Sequence, residues 1–209
     1  MNAQSSASSG FPIAPLFALD TLWFQVAGTL CNLQCMHCFI SCSTTNHAHE
    51  MLTLADVKRH LREAEALGVK EYYFTGGEPF MNHEIFEILE ETLCQGPVSV
   101  LTNGVLIRAD TAARLKIMPL LRIGAEEQRL RAYESWETLK GRELTPDEAG
   151  VLQCTGCRMV TSKGVYVCPI LIDSPDAKMG ETLKDTMRPF QLSHQACFTC
   201  HETGFSCRT

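Results

Sequence analysis

Between residues 20 and 101, three strand-like runs alternate with two helix-like segments, and this alternation constrains the fold more than any other feature. Residues 20–27 include Leu22-Trp23-Phe24-Gln25-Val26-Ala27, an apolar, aromatic and β-branched run that reads as a buried strand, with Gly28 opening a loop. Thr53 offers an N-cap with Asp56 three residues later. Leu54, Val57, Leu61, Ala64 and Leu67 then recur at helical spacing until Gly68 ends the helix. Residues 69–75 alternate Val69, Glu71 and Tyr73 against Lys70, Tyr72 and Phe74, and give a second strand. Asn82 is expected to cap a second helix through Leu93, with Ile85, Phe86, Leu89 and Leu93 inward and Gly96-Pro97 as its stop. Residues 98–101 form a third strand. A helical piece over 110–115 precedes a fourth apolar run, 117–123, whose Pro119 argues against a central strand. Strand–helix–strand units at this spacing imply right-handed crossovers and a parallel sheet.

In such sheets, ligands sit beyond the carboxyl ends of the strands. Three motifs stand there. The first strand leads into Cys31-Asn-Leu-Gln-Cys35-Met-His-Cys38, the second into Gly76-Gly77-Glu78-Pro79, and the third into Thr102-Asn103-Gly104. Three thiolates on one loop suit a soft metal centre. They are one short of closing a four-iron cluster, so one iron stays open for chemistry. A rival arrangement adds Cys42, since Cys35-x2-Cys38-x3-Cys42 echoes a ferredoxin run and four ligands would make an electron carrier. Asn32 stands where the remaining ferredoxin cysteine would be, and no proline follows Cys42.

Composition narrows the class. A formal charge of -6 and 18 basic residues that form no run argue against a nucleic-acid or anionic-membrane surface. Residues 1–12 are Ser/Ala-rich and expected to be disordered, without the basic start and apolar core of a secretory signal. With no apolar stretch long enough to span a bilayer, eleven cysteines read as metal ligands or redox groups in a reducing cytoplasm. His37, His47 and His49 are expected as loop residues, the latter two solvated. Cys94 is expected to be packed near a helix end, and Arg122 to lie on the surface.

The chain changes character near residue 151. After a polar stretch with helical signs over 124–153, residues 158–168 resemble a hairpin turning at Ser162-Lys163-Gly164. The remainder is short, turn-rich and cysteine-dense, so a metal staple would supply stability that its small core cannot.

CNLQCMHC, then TGGEP, then LTNG, in order and each after a strand, resembles the radical SAM (S-adenosylmethionine) superfamily over about residues 20–105. The resemblance implies an α/β fold: a shortened partial (β/α) barrel with parallel strands over 13–150, and a small cysteine-rich C-terminal domain over 151–209. It implies that Cys31, Cys35 and Cys38 hold a [4Fe–4S] cluster whose open iron binds SAM, with Gly76, Gly77, Glu78, Pro79 and Asn103 at the cofactor. Reductive cleavage of SAM would yield a 5′-deoxyadenosyl radical for hydrogen abstraction. It further implies oxygen sensitivity and an electron donor such as flavodoxin or ferredoxin. Cys154, separated from Gly164 by nine residues, with Cys168, Cys197 and Cys200, resembles a reduced auxiliary-cluster domain of the SPASM/twitch type, Cys157 and Cys207 being alternates. That tail favours a peptide or protein substrate by analogy. Zinc is the competing metal there, because Cys154-x2-Cys157 and Cys197-x2-Cys200 are two CxxC pairs. Only four strand-like segments precede Cys154. The competing functional class is therefore a non-catalytic iron–sulfur or zinc module with an incomplete SAM pocket.

Overall fold

A computed structural model describes residues 13–14, 19–35, 38, 40–124, 157–172, 174–188 and 190–191. The polar 124–153 stretch, beyond Gly124, and Cys154, Cys197, Cys200 and Cys207 lie outside these residues. So does the side chain of Cys157, of which only the backbone is described.

The strands are β1 (Ile13–Ala14), β2 (Thr21–Gln25), β3 (Glu71–Thr75), β4 (Val98–Val100), β5 (Leu121–Ile123), β6 (Cys157–Thr161), β7 (Gly164–Tyr166), β8 (Lys178–Gly180) and β9 (Phe190–Gln191). Three α-helices interleave with them: α1 (Leu54–Leu67), α2 (Ile85–Leu93) and α3 (Ala109–Lys116). A seven-stranded sheet has the order β5-β4-β3-β2-β6-β7-β8, and β1 pairs with β9 in a separate two-stranded ladder. The five strands from β5 to β6 are mutually parallel. The expected α/β class with a mostly parallel sheet is what the chain adopts.

Local chemistry explains the elements. α1 has the full capping box: Asp56 N–H donates to Thr53 Oγ1 at 3.1 Å and Thr53 N–H to Asp56 Oδ2 at 3.1 Å. It stops at Gly68, whose φ of 75° favours a residue without Cβ. The second helix departs from expectation. It begins at Ile85 with Glu84 in the cap position, and a 3-10 turn, Pro79–Met81, fills the space before it. Asn82 is buried and donates to Val26 O at 2.7 Å and Leu52 O at 2.8 Å, tying β2 to the entry of α1. Pro119 stays outside β5, which is only three residues long.

Strand register sorts side chains onto two faces. Leu22, Phe24, Tyr72, Phe74, Val98, Val100 and Val160 face α1 and α2, and each is at most 1% exposed, so this is the true core. Each such large apolar side chain contributes about 1.5–3 kcal/mol by burial. The opposite face is more open. Met159, Trp23, Tyr73, Ser99 and Arg122 lie side by side in one transverse row. Trp23, Tyr73 and Ser99 are only half-buried and Arg122 is exposed.

The hairpin appears as expected, with Thr161 opposite Gly164 across Ser162-Lys163, and Gly164 at φ 119°. Its first strand also pairs in parallel with β2, from Thr21↔Cys157 to Phe24↔Val160, so the hairpin continues the core sheet. The following chain returns to the helical side, where Leu183 is fully buried and its N–H donates to Glu63 Oε2 of α1 at 2.7 Å. No helix among the described residues is long and apolar enough to cross a membrane.

Candidate metal centre

The cysteine loop is pinned by its own backbone. Cys31 N–H donates to Ser43 O at 3.0 Å and Ser43 N–H to Thr29 O at 3.3 Å, so the loop's two arms run together beyond β2. Gly28 makes the exit turn at φ 57°, where a Cβ would lie 2.2 Å from His49 O. His49 accordingly differs from expectation. It is 2% exposed, and its N–H donates to Thr29 Oγ1 at 3.1 Å. His47 is exposed.

The three thiols form an electrostatically coupled group of graded depth: Cys31 is buried, Cys35 and Cys38 half-buried. Leu33 N–H donates to Cys31 Sγ at 3.4 Å, and Cys42 N–H to Cys38 Sγ at 3.3 Å, the kind of donors that stabilise ligated sulfur. The Cys42 thiol also donates to Cys38. That bond draws Cys38 down to about 6, and pushes Cys42 far up. Burial raises Cys31 and Cys35 above the ordinary thiol value. Cys38 is thus ready as a thiolate, while Cys42 is held as a neutral donor.

No three His, Cys, Asp or Glu side chains among the described residues converge on a point that one ion could occupy. A cuboidal cluster makes a different demand, since each thiolate takes its own iron and the sulfurs stand apart. Three thiols on one loop, with backbone N–H groups aimed at two of them, fit that demand. They fit a single tetrahedral zinc poorly.

The GGEP segment is locked beneath this loop. Gly77 N–H donates to Gly28 O at 2.9 Å and Glu78 N–H to Leu30 O at 3.0 Å. A Cβ on Gly77 would sit 1.8 Å from Leu30 O, so only glycine permits this approach. Gly76 adopts φ 133°, and a Cβ on it would lie 2.9 Å from Ala27 N.

Glu78 is fully buried. Its carboxylate accepts from Thr102 Oγ1 at 2.7 Å, Asn103 N–H at 2.9 Å and Phe80 N–H at 3.0 Å. Burial pushes this carboxyl above the ordinary glutamate value, against the pull of the three bonds. Pro79 is buried at the start of the 3-10 turn. Asn103 closes the arrangement, its Nδ2 donating to Asn32 Oδ1 at 2.7 Å and standing 3.8 Å from Cys31 Sγ. The structure therefore brings Cys31, Cys35, Cys38, Gly76, Gly77, Glu78, Pro79 and Asn103 to one rim.

Sequence reasoning missed Thr102 and Asn32 as partners in this network, although each adjoins a residue it did select. Cys94 is exposed rather than packed, donating to Glu90 O at 3.3 Å. Cys168 is buried beside Cys31, Cys42, Met159 and Met179 in one apolar cluster.

Comparison with known proteins agrees with this geometry. The profile of the Radical SAM superfamily matches residues 26–125, which contain every residue of the rim. GTP 3′,8-cyclase of Clostridium acetobutylicum is 28% identical over 127 residues, covering 59% of this chain and 40% of that protein. The subtilosin biosynthesis protein AlbA of Bacillus subtilis is 28% identical over 171 residues, 78% of this chain and 34% of that one. The chain thus spans less than half the length of either relative. The crystal structure of BtrN with AdoMet and 2-DOIA superposes over 91% of this chain and 88% of that chain, with a TM-score of 0.58 and 15% identity, a likeness of fold alone. With the profile match falling on the cysteine loop, GGEP and Asn103, residues 26–125 belong to the radical SAM superfamily.

Proposed function

We propose that this chain is a radical SAM enzyme acting on a peptide or protein. The carrying observation is the network in which Glu78 and Asn103 hold GGEP and TNG against the cysteine loop. Cys31, Cys35 and Cys38 would hold a [4Fe–4S] cluster. When bound, the cluster and SAM supply a 5′-deoxyadenosyl radical for hydrogen abstraction. The chain's own part is positional: Gly76 and Gly77 allow backbone to approach the methionyl end closely, and Glu78 fixes the two loops that border it. Electrons would come from flavodoxin or ferredoxin.

Likeness to AlbA, a bacteriocin biosynthesis protein, supports the peptide class. In the tail, Cys154, Cys168, Cys197 and Cys200, with Cys157 and Cys207 as alternates, are proposed to hold an auxiliary cluster. A second reading, a non-catalytic iron–sulfur or zinc module, is favoured by the three-residue β5 being the last strand of the core series before residue 124.

Anaerobic reconstitution with iron and sulfide, reduction and addition of SAM should give 5′-deoxyadenosine. Full cluster loading without that product, under conditions that activate a control enzyme, would sink the catalytic reading. Iron loading should survive Cys42→Ala, while Cys31→Ala, Cys35→Ala or Cys38→Ala should each lose the iron of this cluster and leave only that of the tail. Zinc in the tail in place of a second cluster would refute the auxiliary assignment.

A further inference from the structure

The open face of the sheet carries three features that the cofactor site does not use. Gln25, the last residue of β2, is fully buried, yet neither Nε2 nor Oε1 has a hydrogen-bond partner. It shares a face with Trp23, two residues earlier, and therefore points to the same side of the sheet, at the end nearest the cysteine loop. An unmet buried amide group is destabilising, and a leucine would fill the space without that cost. One row farther from the rim, Trp23 stacks on Tyr73 with centroids 4.5 Å apart, and both remain half-buried. In the same row, across Ser99, stands Arg122. It is exposed, without a hydrogen bond or ion pair among the described residues, and close enough to Tyr73 to offset part of the rise that burial and Glu71 give that hydroxyl. An acid of the same face, Glu71, lies in the row below, where it also acts on Tyr73 and accepts from Thr21 Oγ1 at 3.2 Å.

We propose that this trough is the substrate site, and that it selects an acidic peptide segment: a peptide group pairs with the Gln25 amide, neighbouring side chains rest on the Trp23–Tyr73 stack, and a carboxylate reaches Arg122. The inference rests on the radical SAM reading for what happens to the bound peptide, but the recognition itself is independent of turnover. An amide side chain offers one donor face and one acceptor, the complement of a peptide group. Guanidinium pairs with carboxylate through two parallel bonds. Gln25 and Arg122 lie three inter-strand spacings and one row apart, about 16 Å, which is the reach of about five extended residues. The carboxylate would thus sit several residues from the position nearest the cluster, where it selects the substrate without taking part in the reaction.

The test uses the full chain, anaerobically reconstituted. Fluorescein-labelled Ala/Gly hexapeptides carrying one Glu at each of the six positions are titrated by anisotropy beside the matching Gln peptides. At least one Glu peptide should bind about tenfold more tightly than its Gln partner. Arg122→Gln should abolish that preference and Arg122→Lys restore part of it. Gln25→Leu should weaken both members of the pair alike. Equal binding of every pair, no saturable binding of any peptide, or an acid preference that persists in Arg122→Gln would overturn the proposal. So would inorganic phosphate displacing the Glu peptides at lower concentration than acetate, which would assign Arg122 to a phosphorylated ligand. If Gln25→Leu weakens SAM binding and spares the peptides, the amide belongs to the cofactor and that half falls. The same preparations are assayed for 5′-deoxyadenosine. Acid-selective binding without cleavage would defeat the catalytic reading alone, and cleavage without acid preference would defeat only this one.

Discussion

Removing the Glu78 carboxylate tests whether the rim is held together as described. Glu78→Gln keeps one carbonyl oxygen, which can still serve Thr102 and Phe80, the two donors now sharing Oε1. The amide NH2 then faces the Asn103 N–H, which bonds Oε2 at 2.9 Å, so donor meets donor. A hydrogen bond to a charged group contributes about 1.5–3 kcal/mol, and an unmet buried donor costs about 1–3 kcal/mol. Glu78→Gln should therefore lower unfolding free energy by about 2–4 kcal/mol, and Glu78→Ala, which strands three donors, by more. Urea denaturation of the metal-free chain, followed by tryptophan fluorescence, measures this without involving the cluster. The wild type should also show a pH slope that Glu78→Gln lacks. Burial holds this carboxyl above its unfolded value, so the native state binds more protons between the two values. Stability then falls as pH rises from the ordinary glutamate value, about 4.3, through the raised one. A Glu78→Gln chain within about 0.5 kcal/mol of wild type would refute the reasoning, because a carboxylate holding three donors cannot be lost so cheaply.

Gly77→Ala places a Cβ against Leu30 O, so reconstitution should lose the iron and sulfide of the loop's cluster and keep only that of the tail; normal loading would show that the cysteine loop tolerates displacement. Asn103→Leu removes the amide beside Cys31 Sγ, and the cluster's potential should move about 20–60 mV negative, the equivalent of one net hydrogen bond; redox titration followed by EPR reads it. His60 on α1 is 2% exposed, and burial, aided by Arg59, depresses its titration. Its neutral form is favoured in the native state, so stability should be lost as pH falls below about 6.5, and His60→Gln should flatten that limb in pH-dependent denaturation. Thr53→Ala removes half of the capping box and should cost about 1 kcal/mol by the same assay.

Much of the core was legible because its signals are local. The α1 cap and its glycine stop lie within sixteen residues, and the hairpin announces itself by alternating residues around Ser162-Lys163-Gly164. The three rim motifs followed from strand ends alone. What escaped depends on distance along the chain. Nothing near Thr21 marks it as a partner of Cys157, because parallel pairing leaves no turn to read. Glu78 looked like a carboxylate awaiting an ammonium, whereas its oxygens already accept from Thr102 and Asn103 of the TNG segment and from Phe80 of its own turn. Asn82 resembled a cap because it precedes a helix; its Oδ1 does accept from Glu84 N–H at 2.9 Å, but its NH2 reaches back to Val26 and Leu52, and Glu84 takes the cap position. His49 sits in a polar stretch that predicts exposure, and its burial follows only from the return of that stretch over Gly28.

The pairing of β2 with β6 also has a consequence in time. The edge of β2 that carries the cysteine loop finds its second neighbour only when residues 157–160 have been made. At about 5–20 residues per second, the intervening stretch takes on the order of ten seconds or more to synthesise. Throughout that interval the nascent chain presents an unpaired strand edge beside three reactive thiols. Contacts so far apart in sequence also close slowly, because the loop entropy must be lost before the ladder forms. The hairpin is thus a late-arriving flank of the first strand, and the order in which cluster and flank arrive becomes a property of this sequence.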